Sequence, residues 1–460
     1  MKDFNSIYFV GAGGIGMAAL ERYFLAKGKK VAGYDRTATD LTHALESEGV
    51  EIAYDEDPAL IPAYCRDPKT TLVVYTPAIP AGHKGLTWFR AQGFEVVKRA
   101  RVLGLVTEDS RGLCFSGTHG KTTTSSMAAH ILQVSGIGSN AFLGGVLRNY
   151  GSNFLLSNTS PYSVIEADEF DRSFHQLTPY IAVVTSTDPD HLDIYGNYEN
   201  YLESFAHFTE LIRPGGTLIV HTGLNLKPRP QAGVKTFTYS QDAGDFHAAN
   251  IRKGQGDIIF DFIAPDGAIR DVKLGVPVAI NIENAIAAMA VCWLIKVPAQ
   301  AISEGIATFQ GAKRRFEFWL KEPGEHGQVV IDDYAHHPNE LRASIESVRD
   351  LYPGRKLSVI FQPHLYTRTR DLAPDFARAL SLADEVLLLP IYPARELPIP
   401  GVTSEIILND ITCPVKKIYT KENLLDSLHL LNFDVLLTAG AGDIVDLLPR
   451  IVEEVKKQQR

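Results

Sequence analysis

A glycine-containing loop followed by a lysine and two hydroxyls, set directly after an apolar run, constrains this chain more than any other feature. It reads Gly117-Thr118-His119-Gly120-Lys121-Thr122-Thr123 and follows Leu113-Cys114-Phe115-Ser116. A buried strand that turns into a helix through such a loop leaves free backbone N–H groups in front of the helix, where its dipole favours an anion. A lysine adds charge there, and a hydroxyl offers an oxygen to a divalent cation, so the ligand expected is a nucleotide polyphosphate. The strict P-loop spacing asks for glycine where Phe115 stands. The loop thus meets the physical requirement while departing from the pattern.

The rest of the chain repeats the strand-to-helix theme, which predicts an α/β fold with mostly parallel sheets. Apolar runs at 6–10, 71–75 and 95–97 read as strands of a first unit. Runs at 113–116, 162–165 and 180–184 belong to a second, and runs at 328–331, 357–361, 385–389 and 433–437 to a third. Short alternating strands over 247–278 predict a small sheet, 281–295 a helix, and the Pro/Gly/Asn-rich stretch 222–233 a surface excursion. At about 150 residues per domain, the 460-residue length agrees with three units. The boundaries expected are 1–109, 110–310 and 311–460.

Other clusters sit where α/β sheets place their ligands, at the C-terminal ends of strands. Gly11-Ala12-Gly13-Gly14-Ile15-Gly16 follows the first strand, and Asp35 ends the next. Alone, this reads as a dinucleotide site with an acid for a ribose. Two acidic loops, Glu166-Ala-Asp168-Glu169-Phe-Asp171 and Asp188-Pro-Asp190-His191-Leu-Asp193, follow the strands at 162 and 180. They offer carboxylates to magnesium, which takes one or two beside phosphates and waters, although Asp168, Asp171 and Asp193 taken singly read as solvated charges. The third unit carries Arg314-Arg315-Phe316, Asp332-Asp333-Tyr334-Ala-His336-His337-Pro338 and Phe361-Gln-Pro-His364, followed by Thr367-Arg368-Thr-Arg370-Asp371. Arginine forks suit carboxylate and phosphate.

Composition removes several classes. With 45 Lys plus Arg against 54 Asp plus Glu, the formal charge is −9, which speaks against bulk nucleic acid or anionic membrane as partner. The four cysteines lie far apart without a CxxC pair, giving no zinc ribbon or disulfide framework. No apolar run approaches the ~20 residues of a membrane span. The glycines at 11, 13, 14 and 16 would break a signal-peptide helix over 7–20. The expectation is a cytoplasmic enzyme, monomeric or homodimeric.

A dehydrogenase would leave the 117–123 loop unused, and a simple kinase would leave the outer units unused. Three units suggest three ligands: an anionic diphosphate compound, ATP, and a smaller anionic acceptor. In combination and order, the motifs quoted above resemble those of the Mur ligase family along essentially the whole chain. The resemblance implies an N-terminal Rossmann-like domain for a UDP-sugar, a central P-loop-type ATPase domain with a parallel sheet and a small antiparallel patch, and a C-terminal Rossmann-like domain for the amino acid. It also implies an ATP-dependent ligase of peptidoglycan precursor synthesis. In the reaction so implied, the lactyl carboxylate of UDP-N-acetylmuramate would be phosphorylated by ATP, and L-alanine would then displace the phosphate.

By the same resemblance, Gly11, Gly13, Gly14, Ile15, Gly16, Asp35, Thr76 and Arg99 hold the UDP-sugar. Gly117, Thr118, His119, Gly120, Lys121, Thr122, Thr123, Asn281, Asn284, Arg315 and Asp332 hold ATP. Thr122, Glu166 and His191 hold Mg²⁺, and Tyr334, His336 and Arg368 surround the amino acid. Lys121, Glu166, His191 and Arg368 carry the catalysis. The third domain is expected to close about a hinge near residue 311. Three departures from the family pattern stand out. Ile280 replaces a histidine ahead of Asn281 and Asn284, and Leu365 replaces an arginine after His364. No lysine occurs between Lys121 and Lys227 to be carbamylated as a metal ligand. The rival readings are a recycling ligase that adds a whole tripeptide to the same sugar, an NAD-dependent oxidoreductase, and a binding-only relic. The stretches Gln176–Val184 and Tyr392–Gly401 favour the alanine-adding branch.

Overall fold

The computed structural model describes residues 4–457 apart from 77, 78, 81, 255, 325, 395 and 429–432. Four sheets carry the chain. The first comprises β1 (Ser6–Val10), β2 (Lys30–Tyr34), β3 (Glu51–Ala53), β4 (Thr71–Tyr75) and β5 (Glu95–Lys98), in the order β3-β2-β1-β4-β5. All its pairings are parallel. The order reverses between β1 and β4, so the loop after β1 opens into the crevice where such sheets bind ligands.

The second sheet comprises β6 (Arg111–Ser116), β7 (Asn140–Leu147), β8 (Ser152–Leu155), β9 (Tyr162–Glu166), β10 (Ile181–Val184), β11 (Thr217–His221) and β12 (Lys235–Tyr239). Their order is β12-β11-β10-β6-β9-β7-β8, parallel except for the antiparallel β7–β8 pair. Strand β6 lies between β9 and β10. The loops that follow these three strands therefore emerge side by side: the 117–120 loop and the two acidic loops. β13 (His247–Gly254), β14 (Asp257–Ala264) and β15 (Gly267–Lys273) form the small sheet expected from the alternating pattern. The helix Ile280–Leu294 follows it.

The last sheet comprises β16 (Glu317–Lys321), β17 (Val329–Asp333), β18 (Leu357–Phe361), β19 (Glu385–Leu388), β20 (Val415–Ile418) and β21 (Val435–Ala439). Its order is β16-β17-β21-β18-β19-β20, with β16 the single antiparallel strand. The sequence reading did not anticipate β3, β7, β8, β11, β12, β16 or β20.

Contacts divide the chain into two compact units. One holds Met1–Ala249, Asp261–Val272 and Glu283–Phe309; the other holds Asn250–Phe260, Lys273–Ile282 and Gln310–Arg460. In the first unit a single apolar core runs from the first sheet to the second. Tyr23, on the helix Ile15–Ala26, packs edge-on to Phe142 of β7 and Phe154 of β8, with ring centroids 5.5 and 6.5 Å apart. This packing sets the glycine loop of the first sheet against the second. In the second unit, Val330, Ile360, Leu387 and Leu436 from four neighbouring strands bury against Ile444, Leu448 and Ile451.

Candidate active site

The 117–120 loop is shaped by glycine. Gly117 (φ 139°) and Gly120 (φ 84°) lie in the left-handed region. A methyl on Gly117 would meet Thr185 Oγ1 at 2.1 Å. The loop is gripped from its neighbours. His119 N–H donates to Ser186 Oγ (2.7 Å), Thr118 Oγ1 donates to Asp188 O (2.8 Å), and the Thr118 and Tyr201 hydroxyls are 2.9 Å apart. The helix Lys121–Val134 starts at Gly120 without a side-chain cap, leaving its first N–H groups to a ligand. Lys121 Nζ donates to Gly117 O (2.6 Å) and to Glu169 Oε1 (2.8 Å). Burial pushes the Glu169 carboxyl up, and the Lys121 ammonium pulls it back.

Thr122 Oγ1 donates to Glu166 Oε1 (3.0 Å), and Gly144 N–H donates to Glu166 Oε2 (2.9 Å). A methyl on Gly144 would lie 2.5 Å from that oxygen, so glycine is required for Glu166 to keep this place. Thr123 is partly exposed on the first helical turn. Asn284 reaches the loop from the helix Ile280–Leu294, accepting from Thr124 Oγ1 (3.2 Å) beside Gly120. Asn281 belongs to the other unit, where its Nδ2 donates to Val276 O (3.1 Å). Ile280, ahead of them, is 60% exposed.

His191 has φ 52° and its ring stands edge-on to Phe170 at 5.0 Å, with Nε2 3.6 Å from Asp190 Oδ2. Asp168 Oδ1 accepts from Phe170 N–H (3.1 Å) and Asp171 from the Ser173 hydroxyl, as loop-shaping acids do. The Asp193 side chain is outside the described residues. Among the described residues no three His, Cys, Asp or Glu side chains gather as a metal-binding group.

A cavity of 290 Å³ lies between the first glycine loop and the end of β9. Gly14, Ile15, Gly16, Thr76 and Arg99 line it on one side; Phe142, Leu143, Gly144, Glu166 and Asp168 line it on the other. Gly16 lies under Arg99, whose Nη1 would be 2.7 Å from an added methyl, and Gly11 lies under Thr76 in the same way. Asn153 of β8 fixes the loop by donating to Ile15 O (2.9 Å). Asp35 does not face outward as a free acid: its Oδ2 accepts from Gly13 N–H (2.7 Å) and its Oδ1 from Thr37 N–H (3.2 Å).

In the second unit the loops after β17, β21, β18 and β19 converge. Tyr334 and His336 rings are 5.3 Å apart, His336 and His364 6.2 Å, and His364 stacks on Tyr392 at 5.7 Å. Arg368 Nη1 is 3.4 Å from His364 Nδ1. Burial, then the Arg368 and His336 charges, push the His364 imidazole below its usual range. Arg315 is exposed. Arg314 (φ 60°) turns inward instead and donates to Asp332 Oδ2 (3.2 Å) and to Gly442 O (3.0 Å), with its guanidinium 5.0 Å from the Tyr334 ring centre. Asp332 is enclosed, its other oxygen accepting from Thr438 Oγ1 (2.7 Å). Leu365 holds φ 70° and donates its N–H to Tyr392 O (2.9 Å).

The geometry thus gathers Lys121, Thr122 and Glu166, and separately Tyr334, His336 and Arg368. It adds residues that the sequence reading placed at most within a cluster, without an individual role: Gly144, Glu169, Arg314, His364 and Tyr392. Only the Gly144-Gly145 pair inside an apolar run and the motif positions of Glu169, Arg314 and His364 could have signalled them.

Family models match three consecutive stretches: the Mur ligase family catalytic domain over 6–111, the Mur ligase middle domain over 115–292, and the Mur ligase glutamate ligase domain over 314–442. A UDP-N-acetylmuramate–L-alanine ligase of Parabacteroides distasonis is 59% identical over 99% of this chain and 98% of its own length. One of Phocaeicola vulgatus is 57% identical over the full length of both. Among solved structures, the UDP-N-acetylmuramate–alanine ligase of Thermotoga maritima is 26% identical, with a TM-score of 0.77 over 98% of this chain and 99% of that one. A murein peptide ligase of Psychrobacter arcticus shares the fold at 20% identity and a TM-score of 0.60, over 97% of this chain and 98% of that one. With matches along its length and relatives this similar over nearly all of it, the chain belongs to the Mur ligase family.

Proposed function

We propose that this ATP-dependent, amide-bond-forming enzyme joins L-alanine to the lactyl carboxylate of UDP-N-acetylmuramate. The observation that carries the reading is the cavity in which the Gly14–Gly16 loop and Arg99 face Glu166, itself bonded to Thr122 beside the phosphate loop. A diphosphate on the first loop would set its attached sugar toward the nucleotide site. The 59% and 57% identical relatives support alanine as acceptor over a tripeptide. The division of labour proposed is 1–109 for the UDP-sugar, 110–310 for ATP and 311–460 for the amino acid.

The chemistry follows from what a carboxylate lacks. It is a poor electrophile, so its oxygen first attacks the γ-phosphorus of ATP, giving an acyl phosphate and ADP. Phosphoryl transfer asks the protein mainly for alignment and charge neutralisation. Lys121 and the first N–H groups of its helix supply both. The hydroxyl of Thr122 and the carboxylate of Glu166 are hard oxygen donors 3.0 Å apart, which fits Mg²⁺. These two residues, with His191 assigned by family position, would hold it. Bound there, magnesium neutralises phosphate charge. In the second step the amine of L-alanine attacks the acyl carbon and phosphate leaves. Arg368 holds the amino acid's carboxylate, leaving its nitrogen free. The alanine nitrogen reacts as the free amine, and the proton it loses as the amide bond forms can leave with the departing phosphate.

Oxygen transfer tests this sequence of steps. With ¹⁸O in the lactyl carboxylate, one label should appear in the released phosphate, in proportion to amide formed. Phosphate free of label would contradict the acyl phosphate.

A further inference from the structure

The reaction as read so far gives Glu169 no task, yet it is 1% exposed and ends at the phosphate-loop lysine. An ammonium has three donors. Those of Lys121 face Gly117 O at 2.6 Å, Thr118 O at 3.4 Å and the Glu169 carboxylate at 2.8 Å. The two carbonyls belong to the loop that receives phosphate, and the carbonyl contacts are the ones a phosphate oxygen can replace. The carboxylate is enclosed, and the backbone of its residue is anchored. Its backbone oxygen accepts from the Tyr195 hydroxyl, and Tyr195 sits four residues beyond His191 at the end of the other acidic loop.

We propose that Glu169 is a positioning residue for Lys121, holding the ammonium where charge develops during phosphoryl transfer, with Tyr195 tying the Glu169 backbone to the His191 loop. The proposal rests on the ATP-dependent reading above. A lysine on a four-carbon stem, freed from its carboxylate, would follow the ground-state phosphate charge and still bind ATP. It would lose the fixed placement that the transition state rewards.

The test is steady-state kinetics of the full-length protein with Glu169→Gln, which keeps an acceptor and removes the charge, and with Tyr195→Phe. For Glu169→Gln the expected result is a kcat at least tenfold lower, with the KM for ATP within threefold of wild type and the thermal midpoint nearly unchanged. A purely structural role would instead raise KM and lower the midpoint together. For Tyr195→Phe the same split is expected at smaller size, at least threefold in kcat. A kcat loss below these limits, or a loss carried by KM for ATP, overturns the proposal. If Glu169→Gln does not fold, Tyr195→Phe alone decides by the same criterion. Wild-type turnover is scored separately: phosphate release without an amide product would fault the ligase reading, whereas an altered acceptor would leave the ATP-step comparison intact.

Discussion

Glu166 owes its position to a residue without a side chain. A methyl at Gly144 would lie 2.5 Å from its Oε2 and displace the N–H bond that fixes it. Gly144→Ala should therefore lower kcat at least tenfold, the scale of a misplaced charged group, while fluorescent-ATP binding stays within a few-fold; equal activity would show that Glu166 tolerates the shift. Far from this chemistry, Glu21 is 0% exposed, and neither carboxylate oxygen has a hydrogen-bond partner among the described residues. Burial holds its carboxyl well above the usual range. A carboxyl whose pKa is raised by folding stabilises the fold most below its unfolded value of 4.5, and that contribution is lost as pH rises. Glu21→Met should thus stabilise the protein at pH 8 by about 1–3 kcal/mol and by less at pH 5. Denaturant unfolding at both values checks it; a gain that grows toward acid would contradict the assignment.

At the scale of elements, the helix Arg99–Asp109 carries Arg99 to the cavity, and Gly104 lets it dock. A methyl there would meet the backbone oxygen of Gln176 at 2.2 Å. Gly104→Ala should cost about 1–3 kcal/mol of stability, as overpacking does, and raise the KM for the UDP-sugar; an unchanged unfolding midpoint would show that the contact relaxes. The helix Tyr366–Leu380, which carries Arg368, is held at its start by Glu396, which accepts from Thr367 N–H at 3.0 Å. Glu396→Gln should raise the KM for L-alanine severalfold and leave that for ATP alone; equal shifts in both would assign the contact to stability.

What the sequence made legible follows from the same geometry. Strands buried on both faces read as apolar runs, so β1, β4, β6, β9, β17 and β18 were accessible from hydrophobicity. Their C-terminal loops, and hence Lys121, Glu166, Tyr334 and Arg368, came with them. The edges did not. β20 is Val-Lys-Lys-Ile, largely exposed, and β8 is four residues of an antiparallel hairpin. Within the site, adjacent Arg314 and Arg315 cannot be told apart by pattern. A positive φ at Arg314 turns the first inward to Asp332 and leaves the second exposed. Likewise, the pairing of Glu169 with Lys121 depends on which acid of the 166–171 loop is buried, which spacing alone does not encode.

For the whole molecule, three sheets place three sets of loops at C-terminal strand ends, and the ligase reading assigns a substrate to each. No helix among the described residues is long and apolar enough to cross a membrane. Leu365, one of the departures expected from the resemblance, follows His364 and precedes Arg368, in the region proposed for the acceptor. The decisive measurement is phosphate release from ATP with Mg²⁺ and UDP-N-acetylmuramate, supplied with either L-alanine or the L-Ala-γ-D-Glu-diaminopimelate tripeptide. The account predicts release that requires L-alanine and is not supported by the tripeptide. Release with the tripeptide alone would contradict it and make Leu365 a marker of the larger acceptor.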